Sequence, residues 1–248
     1  MRVAGRTEGG MSLLELLVAT ALTAFLVLGL VHFVTAASAT TLLQRNQGHI
    51  QDRARFAINR IAAAIREAGY TPEPWDETWA LAGFTADTLD AVSGGSDRLS
   101  VRTWSDRNCF DNRNDATDAD GNALFYIRET SFDLNSSKGL TRQCRYGPSL
   151  AEMTTQLRRQ GMIEGVESFQ LLFAVDADAD GLAEAWVNAG AWDDPGQIRG
   201  VKVGLLLVSE NTVVIRQPKE FAVLDTRKRV KADGRLRHVF QFTAAVRS

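Results

Sequence analysis

At 248 residues, with 45% hydrophobic and 23% charged side chains, the chain has the composition of a folded globular protein and falls outside the disordered and fibrous classes. A formal net charge of -2 supplies no general attraction to polyanions, which argues against nucleic acid as a direct ligand. The two cysteines, Cys109 and Cys144, match neither a CxxC redox pair nor the four-ligand spacing of a zinc site.

The first element is a short polar leader from Met1 to Gly10, carrying Arg2, Arg6 and Glu8. An apolar run from Leu13 to Phe33 follows directly, broken only by Glu15, Thr20, Thr23 and His32. As a helix rising about 1.5 Å per residue, that run is long enough to cross a hydrocarbon core of about 30 Å. A secretory signal peptide is built differently, with a small-residue cleavage site after its apolar stretch; Ala36-Ala37-Ser38-Ala39 is the nearest imitation here. The positive leader favours a cytoplasmic N-terminus and an exported C-terminal body.

Glu15 is the odd residue in this run, since a carboxylate within an apolar helix costs about 2.5 to 3.5 kcal/mol at the bilayer centre and less near the end. Two readings stand side by side: the carboxylate snorkels into the interface, or it meets a cation when subunits assemble.

The segment Gly10-Met11-Ser12-Leu13-Leu14-Glu15-Leu16-Leu17-Val18-Ala19 resembles the class III signal of type IV prepilins, which has glycine before the cut, a hydrophobic first mature residue and a glutamate four residues later. Methionine at that first position departs from the commoner phenylalanine. The resemblance implies that a membrane aspartyl peptidase, the prepilin peptidase, cuts after Gly10 and methylates the amino group of Met11. It also implies a partner for Glu15, namely the Met11 α-amino group of a neighbouring subunit. Many major pilins carry a helix-bending proline where this sequence has His32, so a straighter helix is expected. His32 itself reads as an interfacial residue, with no second histidine nearby to share a metal.

From Gln44 to Ala68 the helical pattern turns amphipathic. Ile50, Ala54, Ile58, Ile61, Ile65 and Ala68 recur at three- and four-residue steps, Arg53, Arg60 and Arg66 take other faces, and Gly69 supplies a stop before Tyr70-Thr71-Pro72. This stripe is expected to pack on the chain's own sheet.

Beyond Pro74, strands are expected around Leu99 to Trp104, Leu124 to Phe132, Leu140 to Tyr146, Val166 to Val175, Val201 to Val208, Glu220 to Leu224 and Val239 to Val246, with a short helix over Leu150 to Arg159. In the last strand Phe240, Phe242, Ala244 and Val246 alternate with Gln241, Thr243 and Ala245, the period of a half-buried strand. The expected class is α+β with an antiparallel sheet.

Gly165-Val166-Glu167-Ser168-Phe169-Gln170, the aspartate-rich loop after it, Val201-Lys202-Val203-Gly204-Leu205-Leu206-Leu207-Val208 and Phe240-Gln241-Phe242-Thr243 resemble the PilW-like minor pilins. This second resemblance implies a pilin-like layout, with a leader at 1–10, a hydrophobic membrane or filament-core helix at 11–36, its amphipathic continuation at 37–69 and an exported β-rich domain at 70–248. It further implies a low-abundance pilus subunit that primes or joins assembly, with other minor and major pilins as partners. Such a subunit waits in the inner membrane with its C-terminal domain in the periplasm before entering the pilus. A minor pseudopilin of a type II secretion system would share the leader, Glu15 and the helix. A membrane-anchored periplasmic enzyme or ligand-binding domain is the reading from another class.

Within the body, Asp176-Ala177-Asp178-Ala179-Asp180-Gly181 reproduces the first half of a calcium loop, where alternate carboxylates converge on a hard cation and glycine permits the turn. Glu184 falls at the ninth position, but the twelfth, which should offer a bidentate glutamate, is Val187. Calcium and an acidic strand connection are both open on sequence, and no cofactor is otherwise required. A second acidic run, Asp111 to Gly121 with Asp115, Asp118 and Asp120, lacks that alternation and reads as a solvated loop. Oxidising export would favour a Cys109–Cys144 bond, with two free buried thiols as the alternative.

No Gly-x-Ser-x-Gly elbow, phosphate-binding Gly-rich loop or His-Glu-x-x-His occurs, so the sequence offers no catalytic constellation. Trp75, Trp79, Trp104, Trp186 and Trp192 read as core and rim packing, with a shared ligand face as the alternative. Arg227, Lys228, Arg229 and Lys231 read as a solvated turn.

Overall fold

A computed structural model of the chain describes residues 12–91, 94–215 and 218–247. Two compact units are present, Met1–Arg45 and Asn46–Ser248. One α-helix, α1, runs from Leu13 to Arg66 and contributes to both. Its sequence contains no proline, and Gly29 and Gly48 are its only glycines, so nothing interrupts the backbone ladder over 54 residues.

In the second unit, α1 buries Ile50, Ala54, Ala57, Ile61, Ala62 and Ile65, the stripe expected from the periodicity with Ala57 and Ala62 added and Ile58 only partly covered. The helix stops where the sequence says it should. Gly69 takes a φ of 73°, a left-handed conformation that glycine adopts without strain, and its N–H donates to the Arg102 carbonyl at 2.8 Å. Gly83 lies against this corner, where a Cβ would come within 2.7 Å of the Gly69 nitrogen. Two glycines therefore let the helix end meet the first strand's neighbourhood.

Among the described residues, ten strands form three sheets. Strands β1 (Leu99–Ser105), β2 (Tyr126–Leu134), β3 (Leu140–Gly147) and β4 (Thr154–Ile163) make an antiparallel meander in that spatial order. Strands β5 (Val166–Val175), β6 (Ala185–Val187), β7 (Ile198–Ile215) and β10 (Gly234–Ala245) make a second antiparallel sheet, ordered β10-β7-β5-β6. A hairpin of β8 (Lys219–Val223) and β9 (Thr226–Val230) completes the set.

One core joins these parts. Phe132 and Leu140 from the first sheet meet Phe169, Leu171, Phe173, Val201, Val203, Leu205 and Leu207 from the second, together with the helix stripe. The alternation in β5 and β7 sends every second side chain inward, and each fully buried Phe or Leu stabilises by about 1.5 to 3 kcal/mol. On β10 Phe240, Phe242 and Val246 pack partly buried against this core and Ala244 lies inside it, as the period-2 pattern predicts. The β8–β9 hairpin lies over Gly204, where a Cβ would come within 2.9 Å of both Val223 and Leu224 side chains.

Two local expectations fail. Residues 150–159 form a turn and the first part of β4 instead of a helix. Thr154 and Thr155 pair with Tyr146 and Arg145 of β3, and the β-branched pair gains from strand packing what it would lose in a helix. The basic run is likewise no turn, because Arg227, Lys228 and Arg229 sit on β9, opposite Ala222, Phe221 and Glu220 of β8. The turn comes just before it, at Leu224, whose φ is 55°.

Candidate functional site

Gly10 and Met11, the expected cut site, lie outside the described residues. The described chain starts at Ser12, whose Oγ accepts from the Glu15 N–H at 3.2 Å while its carbonyl accepts from the Leu16 N–H at 3.1 Å. Ser12 is thus the N-cap of α1 and Glu15 stands in the first turn, where a carboxylate also faces the positive end of the helix dipole. Ser-x-x-Glu before an apolar run is a capping signature, and it shares Glu15 with the prepilin-like motif.

Every large apolar side chain from Leu13 to Val34 is 52 to 81% exposed in the isolated chain. Among the described residues α1 is the one helix long and apolar enough to cross a membrane. Its hydroxyls are compatible with an apolar surrounding, because Thr20, Thr23, Thr35, Ser38, Thr40 and Thr41 each donate back to a carbonyl three or four residues earlier. Glu15 is the single carboxylate of the helix before Asp52.

In the second unit the cysteines are joined, with Cα atoms 5.8 Å apart and a sequence separation of 35. Both are buried beside Tyr146, with Tyr126 and Leu157 packed against them. Around the bond, the Cys109 N–H donates to Gln156 Oε1 at 3.0 Å and Arg142 Nη2 donates to the Cys109 carbonyl at 3.1 Å. The loop between β1 and β2 is therefore held to the first sheet from several sides. Arg142 shares a cavity of about 420 Å³ with Arg60, Arg128 and Glu67, and burial together with Arg128 and Arg60 depresses its pKa.

Within the acidic run of that loop, the Asp118 carboxylate is satisfied locally. Asp118 Oδ1 accepts from the Asp120 and Asn122 N–H groups, and its Oδ2 accepts from Asn122 Nδ2. These bonds hold the Asp118 carboxyl below the usual carboxylate range.

The other acidic loop connects β5 to β6 and behaves differently. One carboxylate oxygen from each of Asp176, Asp178, Asp180 and Glu184 lies within 4.8 Å of all the others. Asp176 is fully buried, while its three companions are exposed. Asp176 Oδ2 accepts from Arg199 Nε at 2.8 Å and from the Gly181 N–H at 3.0 Å, which holds this carboxyl below its ordinary pKa. Arg199 could not be found from sequence, since it stands on β7 and reaches the loop through a bulge. Ala174 pairs with Gly200 and Val175 with Ile198, so Arg199 is the extra residue.

Four of the tryptophans fall into separate contacts, with Trp79 and Trp104 packed edge to face. Trp104 donates to the Trp79 carbonyl at 2.9 Å, Trp192 packs on Phe173, and Trp186 lies under Lys202.

A family model described as Type IV Pilus-assembly protein W, PilW, matches residues 125–248, half of the chain. No curated protein and no solved structure gives a match. The matched half runs from β2 to the end and contains neither α1 nor the leader.

Proposed function

The chain belongs to the type IV pilus-assembly protein W family, and from that premise we propose that it is a minor pilin, anchored by α1 and incorporated into a type IV pilus through the same helix. The observation that carries this reading is the exposed apolar surface from Leu13 to Val34, with Glu15 as its lone carboxylate. Such a surface calls for lipid or for the apolar helices of other subunits. The family match lies in the other half of the chain, so the body supports the pilus assignment and the helix separately supports the anchor.

In the proposed cycle the prepilin peptidase cuts after Gly10, the chain waits in the inner membrane with its body in the periplasm, and other pilins then replace lipid around the helix. The new Met11 amino group offers a cation, and Glu15 of a neighbour offers the anion. In a medium without water, that pairing fixes axial register where apolar packing alone would slide.

Mass spectrometry of the mature N-terminus, in cells with and without the prepilin peptidase, tests the reading. A methylated Met11 that depends on the peptidase is expected, and an intact Met1 in assembled material would overturn it. A deletion should abolish or thin the pili and leave type II secretion intact; lost secretion with normal pili would assign the chain to the secretion machinery instead.

A further inference from the structure

We propose that Asp176, Asp178, Asp180 and Glu184 form a binding site for one calcium ion, closing the loop that joins β5 to β6 at the edge of the second sheet. Four carboxylates gathered on one hairpin loop would not by themselves make a site. The second observation is Asp176 Oδ1, which is buried on a fully covered side chain and has no hydrogen-bond partner among the described residues. Its sister oxygen, Oδ2, already accepts from Arg199 and Gly181. A buried carboxylate oxygen without a donor is costly unless a cation faces it.

The spacing fits a shared ion. Calcium holds oxygen ligands at about 2.3 to 2.6 Å, so any two ligands of one ion lie at most about 5.2 Å apart. The four oxygens here lie within 4.8 Å of one another. All donors are hard oxygens, which suits calcium and not zinc or copper. The charge also fits, since four carboxylates face the single guanidinium of Arg199 and a divalent ion would relieve their mutual repulsion.

The loop is held ready at both ends. The Asp176 N–H donates to the Gln197 carbonyl at 2.9 Å, and the Glu184 N–H donates to the Val175 carbonyl at 3.0 Å. Ala177 N–H donates to Glu184 Oε2 at 2.7 Å, which turns that carboxylate back over the loop. Because Val187 stands where a bidentate twelfth ligand would be, affinity should fall in the weak range of extracellular modules, about 10⁻⁴ to 10⁻³ M. Bound calcium would then order β6, the short edge strand.

The full chain in detergent micelles, stripped with a chelator, would be titrated with calcium chloride and separately with magnesium chloride. Calorimetry follows the heat, and amide hydrogen exchange follows protection over 176–187. One saturable calcium site is expected, weakened at least tenfold by the double substitution Asp178→Asn and Asp180→Asn, both exposed positions whose melting should be unchanged without calcium. The control pair Asp115→Asn and Asp118→Asn should bind as the parent does. The proposal is overturned if calcium saturates neither signal by about 10 mM, an order of magnitude above that range. It is equally overturned if the first pair binds like the parent, if the control pair abolishes binding, or if magnesium binds as tightly as calcium.

Discussion

Arg237 on β10 reaches across β7 to grip Glu167 on β5, with Nε–Oε2 at 2.6 Å and Nη2–Oε1 at 3.1 Å, both side chains being less than a tenth exposed. The same guanidinium also holds both oxygens of Asp233. Burial alone would raise the Glu167 pKa, but Arg237 and Lys138 outweigh it and the carboxyl ends below its usual range. Removing one partner of such a pair strands the other charge, at a cost of about 3 to 5 kcal/mol. Arg237→Met should therefore lower the denaturation free energy by that amount, whereas Glu167→Gln combined with Arg237→Met should lose clearly less. A double-mutant cycle from denaturant melts measures the difference, and additive losses would mean that the pair is not coupled.

Asp97 should give the stability a pH dependence above pH 4. Its carboxylate accepts from the Ala91 N–H at 3.0 Å and the Leu171 N–H at 2.7 Å, yet burial pushes its pKa from the ordinary 3.8 up to about 6, with the charges of Asp90 and Asp225 adding to the rise. Between those two values the folded chain holds a proton that the unfolded chain has released. Its contribution is fully present below about pH 4 and is lost as pH rises through about 6, amounting to about 3 kcal/mol. Asp233, whose pKa is depressed first of all by its hydrogen bonds to Arg237, acts in the opposite sense, its contribution being lost as pH falls below the ordinary value of 3.8. Melting temperature should thus rise from pH 7 to about 5 and drop below about 4. Asp97→Asn should flatten the upper limb, and an unchanged slope there would count against this carboxyl as its origin.

The Cys109–Cys144 bond closes a loop of 35 residues and should contribute about 3 to 4 kcal/mol. Reduction, or Cys109→Ala with Cys144→Ala, should lower the melting temperature by on the order of 10 °C. Hydrogen exchange should rise first in the loop between β1 and β2. A melt insensitive to reductant would show that the Gln156 and Arg142 contacts hold this loop without the bond.

Glu15→Ala should leave the processed N-terminus unchanged and reduce recovery in sheared pili far below its level in membranes. Glu15→Gln should behave the same way, because the proposed role needs the charge and a buried unpaired amino group in the neighbour would cost about 3 to 5 kcal/mol. Normal incorporation of both variants would falsify the pairing role of Glu15.

The helix and its two characters were legible in the sequence because both depend on periodicity within one segment. The unbroken apolar run from Leu13, the stripe from Ile50 to Ile65 and the stop at Gly69 all rest on contacts a few residues apart, and the structure keeps them. The alternation of β10 was legible for the same reason. The short segment 150–159 carries no decisive period, and pairing with β3 decides its state.

For the acidic loop the sequence determined the donors, since Asp176, Asp178, Asp180 and Glu184 are close along the chain. Only the tertiary structure decided that Asp176 is buried, that Arg199 takes one of its oxygens and that the other is left without a donor. The physical reason is the same for Arg199 and for Glu167. Each is the extra residue of a β-bulge, where one strand gains a residue against its partner and a side chain is turned out of the ladder. A bulge is a property of two strands in register, and neither strand carries it alone.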